Sequence, residues 1–217
     1  MKKHSFRLFF AFWVLLVVLV GCDSEGFRRY VRFNANGGVL NCAAYVRINE
    51  DGKIDEPAVR KDYSTFVGWF ESPDFSGRAW DFGKEVSDPN SKVVLQLYAK
   101  WDPQFVLEGR SIGRNKDSSF QLPKNLVIPS SLEGKAVTRL RYEGFKGNTT
   151  IETVKIPSSI ESIGSSCFEG CSNLSMIVFD GSIDEWDSIA KNSDWNKGIA
   201  KSAKLVCKDG NELVLTH

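Results

Sequence analysis

Cys167 and Cys171 stand four residues apart in IPSSIESIGSSCFEGCSNL, the segment from Ile156 to Leu174. Two cysteines at this spacing could clip a metal, form a redox pair, close a disulfide, or fill a core with small side chains. Only Cys22, Cys42 and Cys207 join them. The two histidines lie near or at the ends, His4 and His217. Ser-His-Asp and Cys-His catalysis, and zinc sites with imidazole ligands, therefore lack their central group. The adjacent carboxylates Asp184 and Glu185 could in principle serve as a glycosidase pair. They also complete Ser182-Ile183-Asp184-Glu185, where Ser182 at N-cap and Glu185 at N3 make a capping box. Acids in a first helical turn favour the helix dipole, so the capping role is the simpler one. No glycine-rich phosphate loop, dinucleotide fingerprint or nucleophile elbow occurs. The expectation is a non-enzymatic chain with no catalytic residue, no cofactor and no metal site.

The N-terminus bears on the compartment. Lys2, Lys3 and Arg7 precede an apolar run of 13 residues, Leu8 to Val20. Such a run is short for a bilayer span and reads as a signal h-region. It ends in Leu19-Val20-Gly21-Cys22, followed by Asp-Ser-Glu-Gly, and this resembles the bacterial lipobox. The resemblance implies a lipoprotein signal peptide over 1–21, cleavage between Gly21 and Cys22, a lipid on Cys22 and a lipidated tether over 22–28. Several acyl chains on one residue anchor a chain stably without spanning the membrane. Asp23 resembles an inner-membrane retention signal of enteric bacteria. The expected address is therefore the outer membrane or cell surface, with the periplasmic face of the inner membrane as the alternative. Removing residues 1–21 takes away three basic residues and no acid. That leaves 25 basic and 27 acidic side chains and a formal net charge of −2. This balance, with no basic cluster, argues against nucleic acid as a partner.

The next 70 or so residues read as strands. Val31 and Phe33 alternate with polar residues before Asn36-Gly37-Gly38, which supplies the positive φ of a tight turn. Tyr63 to Phe70 is dense in aromatic and β-branched residues. In KVVLQLYAKW, Val93, Leu95, Leu97, Ala99 and Trp101 share one face, as in a half-buried strand. Ser72 to Asn90 reads as loop with room for one short strand. Three motifs in order, V-x-F-x-A-N-G-G, T-F-x-G-W and L-Y-A-K-W, resemble the internalin-type B repeat, also called the Listeria–Bacteroides repeat. The resemblance implies a small β-grasp-like module over 29–102. Trp69, Trp80 and Trp101 could form a sugar-stacking platform, but Trp69 and Trp101 hold strand positions where a small sheet needs core volume.

Further on, a shift of 23 residues superposes the chain on itself. It aligns Val137 with Ile160, Leu140 with Ile163, Phe145 with Phe168 and Gly147 with Gly170. Asn148 then falls on Cys171, Ile151 on Leu174, Val154 on Ile177 and Ile156 on Phe179. The two IPSS segments are 28 apart, so five extra residues in LEGKAV form a loop insertion. The period fits a solenoid in which stacked coils bury what one coil cannot. VKIPSSIESIGSSCFEGCSNL resembles the Bacteroides-surface-protein type of leucine-rich repeat. Leu140-Arg141 departs from its I-G pair, and Cys167 stands where the family has alanine. Two coils are clear over 126–181, and a third begins at MIVFDGSIDEW. Strands over 103–125 lead in. A helix carrying Ile183, Trp186, Ile189 and Ala190 on one face, then a hairpin turning at Asp209-Gly210-Asn211, close the domain over 182–217. The order F-x-G-S-x-x-E-W, S-x-W, V-C-x-D-G resembles the closing unit of the same repeats.

The expected fold is thus mainly β with short helices (α+β). It places a β-grasp-like module before a short leucine-rich-repeat solenoid with a helix–hairpin cap. Phe145, Asn148, Phe168 and Cys171 are structural repeat positions, and both Cys167 and Cys171 read as small core residues. Export leaves a Cys167–Cys171 or a Cys171–Cys207 bridge open. The functional expectation is a lipid-anchored envelope protein, a surface adhesin or host-interaction antigen binding a protein or glycan. A periplasm-facing scaffold lipoprotein is the alternative.

Overall fold

The computed structural model describes residues 30–86 and 94–215. The signal segment, Cys22 and its tether, and Val93 lie outside the described residues.

In the first module, strands β1 (Tyr30–Asn34), β2 (Val39–Leu40), β3 (Tyr45–Arg47), β4 (Val59–Arg60), β5 (Ser64–Phe70) and β6 (Gln96–Pro103) follow one another. Four of them form a sheet in the order β3-β1-β6-β5, and β2 pairs with β4 separately. The first and last motifs meet at its centre, where β1 and β6 run parallel with Phe33 opposite Leu97. β3 and β5 flank them antiparallel. The inward side chains Val31, Phe33, Trp69, Leu97 and Ala99 are all buried, together with Ile54 from a connection. The Phe33 and Trp69 rings meet edge to face at 4.8 Å. Asn36 and Gly37 take the positive φ that the turn requires, 47° and 82°. Trp101 is half-buried and its Nε1 donates to the Ala35 carbonyl at 2.8 Å. The described part of the loop after β5 contains no strand. Trp80 packs there against the same core. Trp69 is thus covered, and the three tryptophans present no common platform.

The second module winds as a two-sheet solenoid. It comprises β7 (Phe105–Glu108), β8 (Ser111–Arg114), β9 (Asn125–Val127), β10 (Ser131–Leu132), β11 (Lys135–Ala136), β12 (Arg139–Leu140), β13 (Thr153–Ile156), β14 (Ser162–Ile163) and β15 (Met176–Phe179). Helix α1 (Ile183–Ser188), β16 (Ala190–Lys191), β17 (Lys204–Cys207) and β18 (Glu212–Val214) complete it. One sheet has the order β16-β14-β12-β8-β7 and the other β18-β17-β15-β13-β9. Each coil gives one strand to each sheet, and neighbouring coils pair parallel. The single antiparallel strand of each sheet covers an edge, β7 against β8 at the first coil and β18 against β17 at the last. Open edges invite pairing with other chains, so these strands narrow that liability.

The register matches the 23-residue shift at Leu140↔Ile163, Val154↔Ile177 and Ile156↔Phe179. The stacking extends beyond the two clear coils. Ile112 pairs with Leu140 ahead of them, and Lys191 with Ile163 and Leu205 with Ile177 behind. From the first strand to the second the spacing is 14 residues in all four coils, as in Ile112 to Leu126 and Lys191 to Leu205. Only the return connection varies. The short return is Pro157 to Glu161, while the first return is five residues longer and folds into the β10–β11 hairpin. A second extension of equal length accommodates α1.

One element differs from expectation. The capping box at Ser182 and Glu185 is present, but α1 ends at Ser188, so Ala190 is not on its face. Ala190 is exposed and begins β16, its N–H donating to the Glu161 carbonyl at 3.0 Å. Sheet extension beside β14 overrides the helical spacing there.

An aromatic series runs through the solenoid. Ring centroids follow at 6.3 Å (Phe105–Phe145), 5.3 Å (Phe145–Phe168), 6.4 Å (Phe168–Trp195), 5.9 Å (Trp195–Trp186) and 5.4 Å (Trp186–Phe179). Tyr63 of the first module joins it, 5.6 Å from Phe105. At the same junction Gln104 N–H donates to the Tyr63 carbonyl, and Lys61 pairs with Glu133 of the hairpin turn at 3.0 Å.

Candidate interaction surface

The four repeat positions come together in the turn that follows each first strand. Phe145 and Phe168 stack at an interplanar angle of 11°. Asn148 Oδ1 accepts from the backbone N–H groups of Thr150 (2.9 Å) and Ile151 (3.0 Å), closing the turn of the second coil. In the third coil Cys171 takes this place, and its thiol donates to the Phe145 carbonyl at 3.1 Å. Asn and Cys therefore alternate because each offers a compact polar atom to buried backbone. Asn148→Ala leaves two N–H groups, one on fully buried Ile151, without an acceptor. It is expected to lower stability by about 1–2 kcal/mol, read as a reduced urea midpoint at unchanged slope.

The buried thiols have no reactive character. Among the described residues all four cysteines are free, with Cys42 exposed and Cys167, Cys171 and Cys207 buried. Burial pushes the Cys171 thiol up to about 11. Cys167 is raised further, first by burial and then by Cys171 beside it. A thiol needs its thiolate form to react. At pH 8, a thiol reagent is expected to label Cys42 and spare the other three until the chain unfolds. Labelling of Cys171 in the native chain would contradict this placement.

Among the described residues of the second module, two exposed surfaces could meet a partner. Along the outer face of the sheet containing β13, one register row holds Asn125, Thr153, Met176, Lys204 and Val214. The next holds Val127, Lys155, Val178, Val206 and Glu212. Val127, Met176 and Val214 are exposed at 47%, 38% and 55%. Parallel strands generally have both faces covered, and here one face is not. At the turn end, between the first and second coils, lies a concavity of about 210 Å³ lined by Arg114, Lys116, Arg141, Tyr142, Glu143 and Gly144. Arg141 Nη1 pairs with Glu108 at 2.9 Å. Glu143 accepts from Lys146 (2.9 Å) and Tyr142 Oη (3.1 Å), and these two bonds hold its carboxyl below the usual range. Lys146 also reaches Glu169 of the third coil at 3.1 Å.

Residues 30–100 match the family model of the Listeria-Bacteroides repeat domain, and residues 111–193 that of the BspA type leucine-rich repeat region. The chain carries both modules. No curated protein matches it. Among solved structures, a leucine-rich repeat protein of T. pallidum is 18% identical, with a TM-score of 0.31, over 48% of this chain and 61% of that one. A leucine-rich cell surface protein of Faecalibacterium prausnitzii A2-165 is 19% identical, with a TM-score of 0.31, over 48% and 27%. A leucine-rich repeat protein of Bacteroides ovatus ATCC 8483 is 17% identical, with a TM-score of 0.30, over 48% and 35%. The matched part thus spans less than two thirds of each of those proteins.

Within the BspA-type region, the concavity went unseen in the sequence, although its mark was there. The I-G pair recurs as Ile112-Gly113 and Ile163-Gly164, while the coil between them has Leu140-Arg141. That departure puts a guanidinium beside the cations of the first coil. Among the described residues, no three His, Cys, Asp or Glu side chains converge as metal ligands, and no helix is long and apolar enough to cross a membrane.

Proposed function

We propose that this chain is a lipid-anchored interaction protein of the bacterial cell envelope, held by acyl chains on Cys22 and presenting its leucine-rich repeats at the cell surface to a protein or glycan. The observation that carries the reading is the bare outer face of a parallel sheet, with Val127, Met176, Val178, Val206 and Val214 set among Lys155 and Lys204. Apolar side chains mixed with charge on an uncovered sheet suit a partner-binding surface. The first module, with its parallel β1–β6 pair between antiparallel neighbours, serves as a β-grasp-like spacer between anchor and repeats. Helix α1 and the β17–β18 hairpin act as the C-terminal cap.

Protease treatment of intact cells tests the exposure: the repeats are digested, and full protection until the envelope is broken overturns the adhesin reading in favour of a periplasm-facing scaffold. Asp23, next to the acylated residue, is what favours that second reading. The anchor is tested separately. Cys22→Ser is expected to move the chain out of the detergent-extracted membrane fraction, and unchanged partitioning would remove the lipid from the proposal.

A further inference from the structure

We infer that the concavity between the first two coils is a recognition site for an acidic sugar, with Arg114 and Arg141 forking onto its carboxylate, Lys116 at the rim and the Tyr142 ring against the pyranose. The inference deepens the reading above and rests on it only for access to glycans. Its first support is an unmet donor. Arg114 lines the concavity, and its Nε, closed off from solvent in this rotamer, has no hydrogen-bond partner, so it gains one only when the guanidinium turns toward a ligand in the concavity. A buried donor left unpaired is costly, and each such group calls for an acceptor. The second support is charge. Three cations and one carboxylate line the concavity. That carboxylate, Glu143, is already engaged by Lys146 and Tyr142. Among the described residues neither Arg114 nor Lys116 has a carboxylate within ion-pair distance, although Lys116, which is exposed, lies near enough to Glu143 to help hold its carboxyl down. Arg141 has Glu108, but both side chains are well exposed, at 38% and 65%, so the pair is one that a ligand can exchange.

The third support is how the second coil is built. Arg141 stands in the column where the neighbouring coils have Gly113 and Gly164. A Cβ on Gly113 would meet Arg141 Cδ at 3.3 Å and Gly144 Cα at 3.2 Å, so the first coil leaves the space that the guanidinium stem fills. A planar guanidinium matches a carboxylate with two parallel bonds, which a lysine cannot do. Size and shape narrow the class. The concavity, about 210 Å³, is smaller than the roughly 300–1,000 Å³ of drug-sized sites and suits one acidic ring. Tyr142 is 63% exposed with only its hydroxyl tied, which leaves its ring as an apolar platform beside the cations. An isolated acidic peptide side chain would use the charge and leave the ring unused, so a carboxylated sugar is favoured.

The test uses the full-length chain in detergent and three probes: a galacturonic-acid trimer, the neutral galactose trimer and a glutamate-rich peptide of equal charge. The uronate is expected to bind, more weakly as salt rises, and the neutral trimer not to. Arg141→Gly, which installs the residue of the neighbouring coils, should weaken uronate binding roughly ten- to a hundred-fold. Lys116→Gln, a surface change that leaves the fold intact, should weaken it several-fold, and Tyr142→Ala should weaken the uronate more than the peptide. Lys155→Gln on the outer sheet face should change nothing. No uronate binding, Arg141→Gly and Lys116→Gln both without effect, or a peptide that binds as tightly and ignores Tyr142→Ala, each overturns the inference. Protease protection on cells would leave this result untouched, and failure here would leave surface exposure untouched.

Discussion

Phe168→Ala is expected to destabilise the chain by about 3–5 kcal/mol. Phe168 is fully buried at the middle of the aromatic series, stacked on Phe145 and edge-on to Trp195. The site cannot collapse to refill the space. Its backbone N–H is bonded to the Trp195 carbonyl at 2.7 Å and the Phe145 N–H to the Cys167 carbonyl at 2.9 Å, so both flanking coils are held at fixed distance. A residual cavity adds to the lost transfer energy. In a solenoid, stability is a sum of coil and interface contributions, and Phe168 belongs to two interfaces at once. The loss is read from urea unfolding followed by tryptophan fluorescence, with Trp195 as the near reporter. A loss below about 1.5 kcal/mol, the scale of a well-accommodated core change, would mean that the rings do not hold the coils together. A companion readout is thiol labelling, because Cys167 and Cys171 flank the same ring and should become reactive before global unfolding.

The sequence exposes the columns of this fold where neighbouring coils agree in length, and hides them where they do not. Leu140 and Ile163, Val154 and Ile177, and Ile156 and Phe179 are 23 apart and pair as that spacing demands. Ile112 and Lys191 escape the same shift because the β10–β11 hairpin and α1 each lengthen a return connection by five residues. Those insertions leave the 14-residue half untouched, since a return at the surface tolerates added length at small entropic cost. Lys191 hides its column for a second reason. It stands in the Ile163 register, yet its ammonium reaches out to the carbonyls of Trp186 and Ile189 and over the Trp186 ring. A cation at the last inward position is readable only once the stack is known to end there. The concavity was hidden differently. Arg141 was visible as a departure from a glycine, but its neighbours Arg114 and Lys116 belong to a coil that the period does not reach.

Gly164→Ala carries the other large expected effect, about 3 kcal/mol, the upper end of the usual overpacking range. The cause is not backbone conformation, because Gly164 does not take the positive φ that disfavours side chains. It is space. A Cβ there would lie 2.5 Å from Tyr142 N, 2.8 Å from Arg141 C and 2.9 Å from Tyr142 Cα. All three are backbone atoms, so no rotamer change relieves the contact, and the third coil must move off the second. That movement strains the bond from Gly164 N–H to the Leu140 carbonyl, 2.9 Å long, and the β12–β14 pairing beside it. Gly147→Ala is the informative contrast. A Cβ added there would meet nothing within 4 Å, but φ is +69°, so the cost is conformational, about 1–2 kcal/mol. If Gly164→Ala proves no worse than Gly147→Ala, the close approach of the coils is not what the glycine serves. The same displacement would shift Tyr142 and Arg141 together. The variant should then lose uronate binding even at temperatures where it remains folded, which ties the I-G glycine of one coil to the recognition chemistry of the coil before it.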